Sequence, residues 1–213
     1  MRGLVSLTTL ACLSCGWTRG DAGSDHPSCR LEQAVEIARP ESVRLDGIAV
    51  APAEAGALVA WSESAGTYAR NVDPAGTPRG ALWRVGERCR GGLDLAAIRD
   101  SATAPVTGHW LACSRPSPIP EQAELARFRL DATGRVERQD LVGLVGRDGA
   151  GVSLAVDGGR VLVAWHDGSV QGYAARLMID RQGKREYVTL SDPSFAAGAP
   201  SIVARDGHWI AAF

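Results

Sequence analysis

Short apolar runs separated by turn residues recur along the body of the chain. Aligned on the bulky or sulfur-containing residue that ends each run, Leu58-Val59-Ala60-Trp61, Leu111-Ala112-Cys113, Leu162-Val163-Ala164-Trp165 and Ile210-Ala211-Ala212-Phe213 fall in register. Their last residues are 52, 52 and 48 positions apart. Self-similarity at such a period marks a repeat architecture. Glycine turns precede the runs at Ala55-Gly56, Thr107-Gly108, Gly158-Gly159 and Asp206-Gly207, and such dipeptides between apolar runs signal hairpins. After each run comes a strand that ends in Asp-x-x-Gly: Asp73 with Gly76, Asp131 with Gly134, and Asp180 with Gly183. The aspartate can bond the turn backbone and the glycine takes the left-handed position. A fourth strand follows at Ala81 to Val85, Leu141 to Val145 and Tyr187 to Leu190. A first strand precedes each glycine turn at Gly47 to Ala51, Leu93 to Ile98, Val152 to Val156 and Ser201 to Arg205.

Four short strands in about 50 residues are the content of one β-propeller blade. The fold class predicted is therefore all-β, a partial β-propeller of four-stranded antiparallel blades at about 44–86, 91–145 and 151–191, with the next blade starting at 199–213. Ala34 to Ala38 reads as an orphan outer strand, expected to complete the final blade and cover its edge. Propellers use 4 to 8 blades, and the chain stops at Phe213 inside an apolar strand, so the sequence reads as truncated at its C-terminus. The open edges are expected to promote association.

The N-terminus has a different pattern. One positive charge at Arg2 precedes Leu4 to Ser14, an apolar run of 11 residues. That is too short to span a bilayer and right for the core of a secretory signal. Residues 1–15 are read as a signal peptide with a lipobox-like end and Cys15 as the lipidated residue, with Cys12 the second candidate. Residues 16–33 are small and polar, which suits a flexible tether. The expected location is outer membrane or periplasm as a lipoprotein, or extracellular.

Export puts Cys29, Cys89 and Cys113 in an oxidising compartment, where one disulfide and one leftover thiol are expected. Cys89 with Cys113 is the favoured pair and Cys29 with Cys89 the rival. With 23 basic and 24 acidic residues, a net charge of −1 and 45% hydrophobic residues, the chain fits neither a basic nucleic-acid binder nor a disordered acidic segment. Lys184 is the lone lysine among those basic residues.

The residues that could carry chemistry mostly read as structural. Trp61, Cys113, Trp165 and Phe213 share one repeat position, which favours packing between blades over sugar stacking. Trp110 and Trp209 are assigned to another shared position, one residue after His109 and His208, which are read as exposed turn histidines. His166 and Asp167 could pair, or Asp167-Gly168 could belong to a loop. Arg70, Arg127 and Arg176 occur once per repeat, as do the turn acids, so ion pairs with a nearby turn aspartate are expected rather than a carboxylate clamp. No catalytic, metal or cofactor site is assigned, and no cofactor is expected.

The repeats resemble those of bacterial, particularly myxobacterial, surface lipoproteins built from propeller repeats of about 50 residues, with a Val-Ala-Trp strand and an Asp-x-x-Gly hairpin. A fainter similarity is to sialidase-like propellers, whose Asp-box occupies the same hairpin. The first resemblance implies a non-catalytic, membrane-anchored binding or scaffold protein with a protein or glycan partner. The expected binding loops are Ser114 to Glu124 and Glu87 to Gly92. The alternative is a carbohydrate-active hydrolase or lyase of propeller fold, with catalytic residues partly in missing blades.

Overall fold

The computed structural model describes residues 8–9, 35–36, 45–101, 103–146, 151–157, 159–169, 172–191, 199–205 and 207–213. Every regular element among them is a β-strand. Three four-stranded antiparallel sheets and a two-stranded ladder follow one another along the chain. Sheet 1 holds β3 (Leu45–Ala53), β4 (Gly56–Glu63), β5 (Gly66–Val72) and β6 (Pro78–Gly86). Sheet 2 holds β7 (Leu93–Ile98), β8 (Gly108–Pro116), β9 (Gln122–Asp131) and β10 (Val136–Gly146). Sheet 3 holds β11 (Val152–Asp157), β12 (Arg160–Ser169), β13 (Gly172–Arg181) and β14 (Lys184–Thr189). The last ladder, sheet 4, pairs β15 (Ser201–Arg205) with β16 (His208–Ala212). Each is an up-and-down meander in sequence order.

β2 (Val35–Glu36), the described part of the expected orphan strand, pairs antiparallel with β1 (Thr8–Thr9), two residues of the apolar run read as a signal. Cys12, Cys15, Cys29 and all of the expected tether lie outside the described residues.

The repeat is visible residue by residue in the first ladder of each sheet. Trp61, Cys113 and Trp165 stand opposite Ile48, Leu93 and Val152. Two positions earlier, Val59, Leu111, Val163 and Ala211 stand opposite Val50, Leu95, Leu154 and Ile202. Because side chains alternate with period two, this shared register sends equivalent residues to the same face of every sheet. Leu111 and Cys113 face sheet 1. Leu154, Val163 and Trp165 face sheet 2. Ile202 faces sheet 3.

Facing surfaces complement each other in size. Sheet 1 offers Ala49, Ala51, Ala60 and Ala69, and sheet 2 answers with Leu95, Leu111, Phe128 and Leu130. A Cβ on Gly86 would stand 3.2 Å from the Phe128 ring. Burying such large apolar side chains contributes roughly 1.5–3 kcal/mol each. The first strands of successive sheets also lie side by side, β3 against β7, β7 against β11 and β11 against β15. Polar side chains tie these strands together. Asp94 on β7 accepts from the Leu154 amide at 2.6 Å, and the Ser153 hydroxyl accepts from the Ile202 amide at 3.0 Å. Leu154 and Ile202 are register equivalents, so the same inner N–H is satisfied at both junctions.

The turns explain several glycines. Gly56, at φ +127°, closes the β3–β4 turn, and a Cβ there would sit 2.1 Å from the Val72 carbonyl oxygen. In the β5–β6 turn, Asp73 Oδ1 accepts from the amides of Ala75 and Thr77 at 3.0 and 2.8 Å. Asp131 repeats this with Thr133 and Arg135 at 2.8 and 3.0 Å. The expected tight turn before β8 is instead a loop over 99–107, closed by the Thr107 amide on the Ile98 carbonyl at 2.9 Å.

Candidate functional site

The two loops singled out in the sequence meet at one end of the sheets. The segment 87–92 connects sheet 1 to sheet 2, while 114–124 is mostly strand: β8 and β9 extend past the end of β7, with β10 still paired alongside β9, and leave only 117–121 as an exposed tip. Arg115 and Glu124 pair across the extension at 2.7 Å. A disulfide joins Cys89 of the connector to Cys113 of β8, with Cα atoms 5.8 Å apart. The Arg90 amide donates to the Ser114 carbonyl at 2.8 Å. From sheet 1, Ser62 Oγ accepts from the Cys89 amide at 2.8 Å, and the Thr67 hydroxyl donates to the Glu87 carbonyl at 2.7 Å. The connector is thus held from both sides.

A second feature lies toward the opposite end, between sheets 2 and 3, and sequence reasoning missed it as a site. It is built from two adjacent rows across the sheet 2 face that meets sheet 3. One row runs Trp110, Arg129, Arg138, and the next runs Ala112, Arg127, Asp140. Arg127 is 2% exposed, and its Nη2 pairs with Asp180 of sheet 3 and with Asp140 at 3.2 Å. The guanidinium stands over the Trp110 ring, 4.6 Å from its centroid. Its Nε and Nη1 are buried and have no hydrogen-bond partner. Arg185 approaches both Asp140 and Asp180 at 3.7 Å. Trp110, Arg127, Arg129, Arg138 and Asp180 line a cleft of about 260 Å³ together with Ile98, Val156, Val161 and the Gln182-Gly183 turn.

Asp180 reaches this place through a one-residue offset. Tyr68, Ala126 and Arg176 stand opposite the anchors Trp61, Cys113 and Trp165. Asp73 and Asp131 lie five residues after their reference residues, but Asp180 lies four after Arg176. Its side chain therefore turns to the sheet 2 side and meets Arg127, while its Oδ1 still accepts from the Gly183 amide at 2.7 Å. Burial pushes the Asp180 carboxyl up, and the hydrogen bonds from Arg127 and Gly183 outweigh it and hold the group below its ordinary value. The turn beneath has Gln182 and Gly183 both at positive φ, 54° and 91°, as a two-residue hairpin requires.

Other sequence assignments need correction. Arg70, Arg127 and Arg176 are not equivalent: they stand opposite Val59, Ala112 and Trp165, three successive register positions. Their side chains accordingly diverge, Arg127 to Asp180 and Arg176 to Asp167 at 2.8 Å. His166 and Asp167 belong to strand β12, not to a loop. His109 is not an exposed turn residue. It is fully buried in β8, and its Nε2 lies 2.9 Å from the Pro52 carbonyl of sheet 1. His208 is exposed in β16. Trp110 and Trp209 are not equivalent either, since the ladder ends pair Gly108 with Ile98 and His208 with Arg205. Trp209 matches His109 in register, so the two tryptophans point to opposite faces.

Trp165 is buried between sheets 2 and 3. Trp61 is buried on the side of sheet 1 away from sheet 2, stacked on Tyr68 with centroids 6.0 Å apart. Phe213 is half exposed. A second cleft, of about 400 Å³ between sheets 1 and 2, is lined by Glu54, Asn71, Asp73, Arg79 and Thr133.

No protein-family model matches this chain, and no curated protein does. The signal that marks the arginine cleft is local: Arg127-Phe128-Arg129 places two cations on one strand face, with Arg138 and Asp140 at the paired positions of the next strand.

Proposed function

We propose that this chain is an exported, lipid-anchored, non-catalytic binding or scaffold protein of β-propeller architecture, with a protein or glycan partner. The carrying observation is the clamped loop end: the 87–92 connector is fixed to β8, the strand that leads into the 117–121 tip, through the Cys89–Cys113 disulfide, and to sheet 1 through Ser62 and Thr67. Preorganised loops on a stiff scaffold lose little entropy on binding. The side-by-side inner strands β3, β7, β11 and β15, in one common register, support the propeller reading. Residues such as Asp73, Asp131 and Asp180, which could tempt a hydrolytic reading, are engaged in turn and intersheet bonds.

The test is binding to a glycan array and to purified envelope proteins, comparing the natural chain with a variant whose tip 117–121 is replaced by Asn-Gly. Saturable binding that the replacement abolishes supports the reading. Turnover of a chromogenic glycoside, lost on substitution of one carboxylate, would favour the hydrolase instead. Anchoring is tested separately by palmitate labelling of cells expressing the chain, which Cys15→Ser should abolish.

A further inference from the structure

We infer that the cleft between sheets 2 and 3 is a binding site for a small organic carboxylate carried on a flat or apolar body. The site lies toward the end of the sheets opposite the 117–121 tip, so it stands or falls independently of the loop-binding reading.

Two separate observations point to an anion. The first is Arg127, which lines the cleft while 2% exposed and keeps two buried donors, Nε and Nη1, without an acceptor. Buried donors are normally satisfied, and Asp140 and Asp180 both engage Nη2 alone. The second is the cross-strand pair Arg129 and Arg138, directly opposite each other on β9 and β10, both lining the cleft. Like charges directly opposite on a sheet are unfavourable. Their partners lie to the sides, Glu137 at 3.3 Å from Arg129 and Asp140 at 2.9 Å from Arg138. Of the charged residues that line the cleft, Arg127, Arg129 and Arg138 are cationic and Asp180 alone is anionic, an imbalance that a carboxylate reduces.

The rest of the cleft fixes the other half of the ligand. Ile98, Val156 and Val161 form an apolar wall, and Trp110 carries Arg127 over its ring. Guanidinium groups bind carboxylates with planar, bidentate geometry. A carboxylate held between Arg129 and Arg138 would sit one row away from Arg127 on the same sheet face, with its body against the valines.

Isothermal titration of the full chain with benzoate, its neutral isostere benzamide, and sulfate tests this. Benzoate is expected to bind one to one, at least tenfold more tightly than benzamide or sulfate, and to weaken as sodium chloride rises. Arg129→Gln with Arg138→Gln should weaken benzoate at least tenfold, while Arg129→Lys with Arg138→Lys retains part of the affinity. Replacement of the 117–121 tip should leave benzoate binding unchanged. Absence of benzoate binding, equal binding of benzamide, or unchanged affinity in the glutamine variant overturns the proposal. Sulfate binding as tightly as benzoate would overturn the apolar half and leave a simple anion site. Should the glutamine variant lose its cooperative unfolding transition, the comparison of benzoate with benzamide on the natural chain decides alone.

Discussion

Replacing Arg127 by methionine removes the cation on which the junction of sheets 2 and 3 is built. Methionine matches the length of the aliphatic stem and leaves Asp180, 5% exposed, with the Gly183 amide and Arg185 at 3.7 Å, while Asp140 keeps Arg138 at 2.9 Å. Breaking a buried pair from one side costs about 3–5 kcal/mol, and the lost stacking on Trp110 adds roughly 0.5–1 kcal/mol. The two unsatisfied donors disappear with the guanidinium and offset about 1 kcal/mol, so the net expectation is about 3–4 kcal/mol. Asp180→Asn isolates the charge, because its amide oxygen can still accept from Gly183 and Arg127 keeps Asp140; about 2 kcal/mol is expected. The double variant should be less destabilised than the sum of the singles, because neither charge is then stranded.

The pH dependence provides an independent check. In the natural chain the Asp180 carboxyl lies below its ordinary value, so its contribution is present above about pH 4 and is lost as pH falls through the folded value. Without Arg127 the same carboxyl keeps only the Gly183 amide and the more distant Arg185 against its desolvation, so its affinity for a proton rises and mild acid relieves it. Urea titrations at pH 7 and pH 4.5 should therefore show the gap between the natural chain and Arg127→Met narrowing on acidification, with slopes unchanged. A gap under 1 kcal/mol at pH 7, or one identical at both pH values, would refute the reasoning.

Three further outcomes follow from the same geometry. Replacing Cys89 and Cys113 by serine opens a loop of 24-residue separation, and the unfolded chain gains freedom equivalent to about 3 kcal/mol; thermal melts with and without reductant measure it. His109 is buried and desolvation lowers its proton affinity, with the Pro52 contact opposing, so the unfolded chain takes up the proton first. Stability should fall as pH drops below about 6.5, and His109→Gln should flatten that slope between pH 7 and pH 5. Gly134 sits at φ +93°, and a Cβ there would lie 2.9 Å from Leu58 Cδ1; Gly134→Ala should cost about 1–2 kcal/mol in urea titration, while Gly143→Ala, with no atom within 4 Å, should cost much less.

The sheet boundaries were legible because one anchor per repeat, Trp61, Cys113 and Trp165, imposes both a long period and an alternation of two. The Cys89–Cys113 pair was legible from the length of the loop it closes. Single-residue offsets were not. Gly108-His109-Trp110 and Gly207-His208-Trp209 look alike in sequence, yet the second is shifted by one in the ladder, which reverses the face of every side chain. The same shift at Asp180 turned a turn-former into an intersheet partner for Arg127, and with it hid the arginine cleft.

The common offset of the first ladders has an evolutionary consequence. All three junctions share one strand offset, so a unit gained or lost would keep the backbone alignment and only the side chains at the new seam would have to be refitted. Specialisation can then be confined to a single seam, as at Arg127.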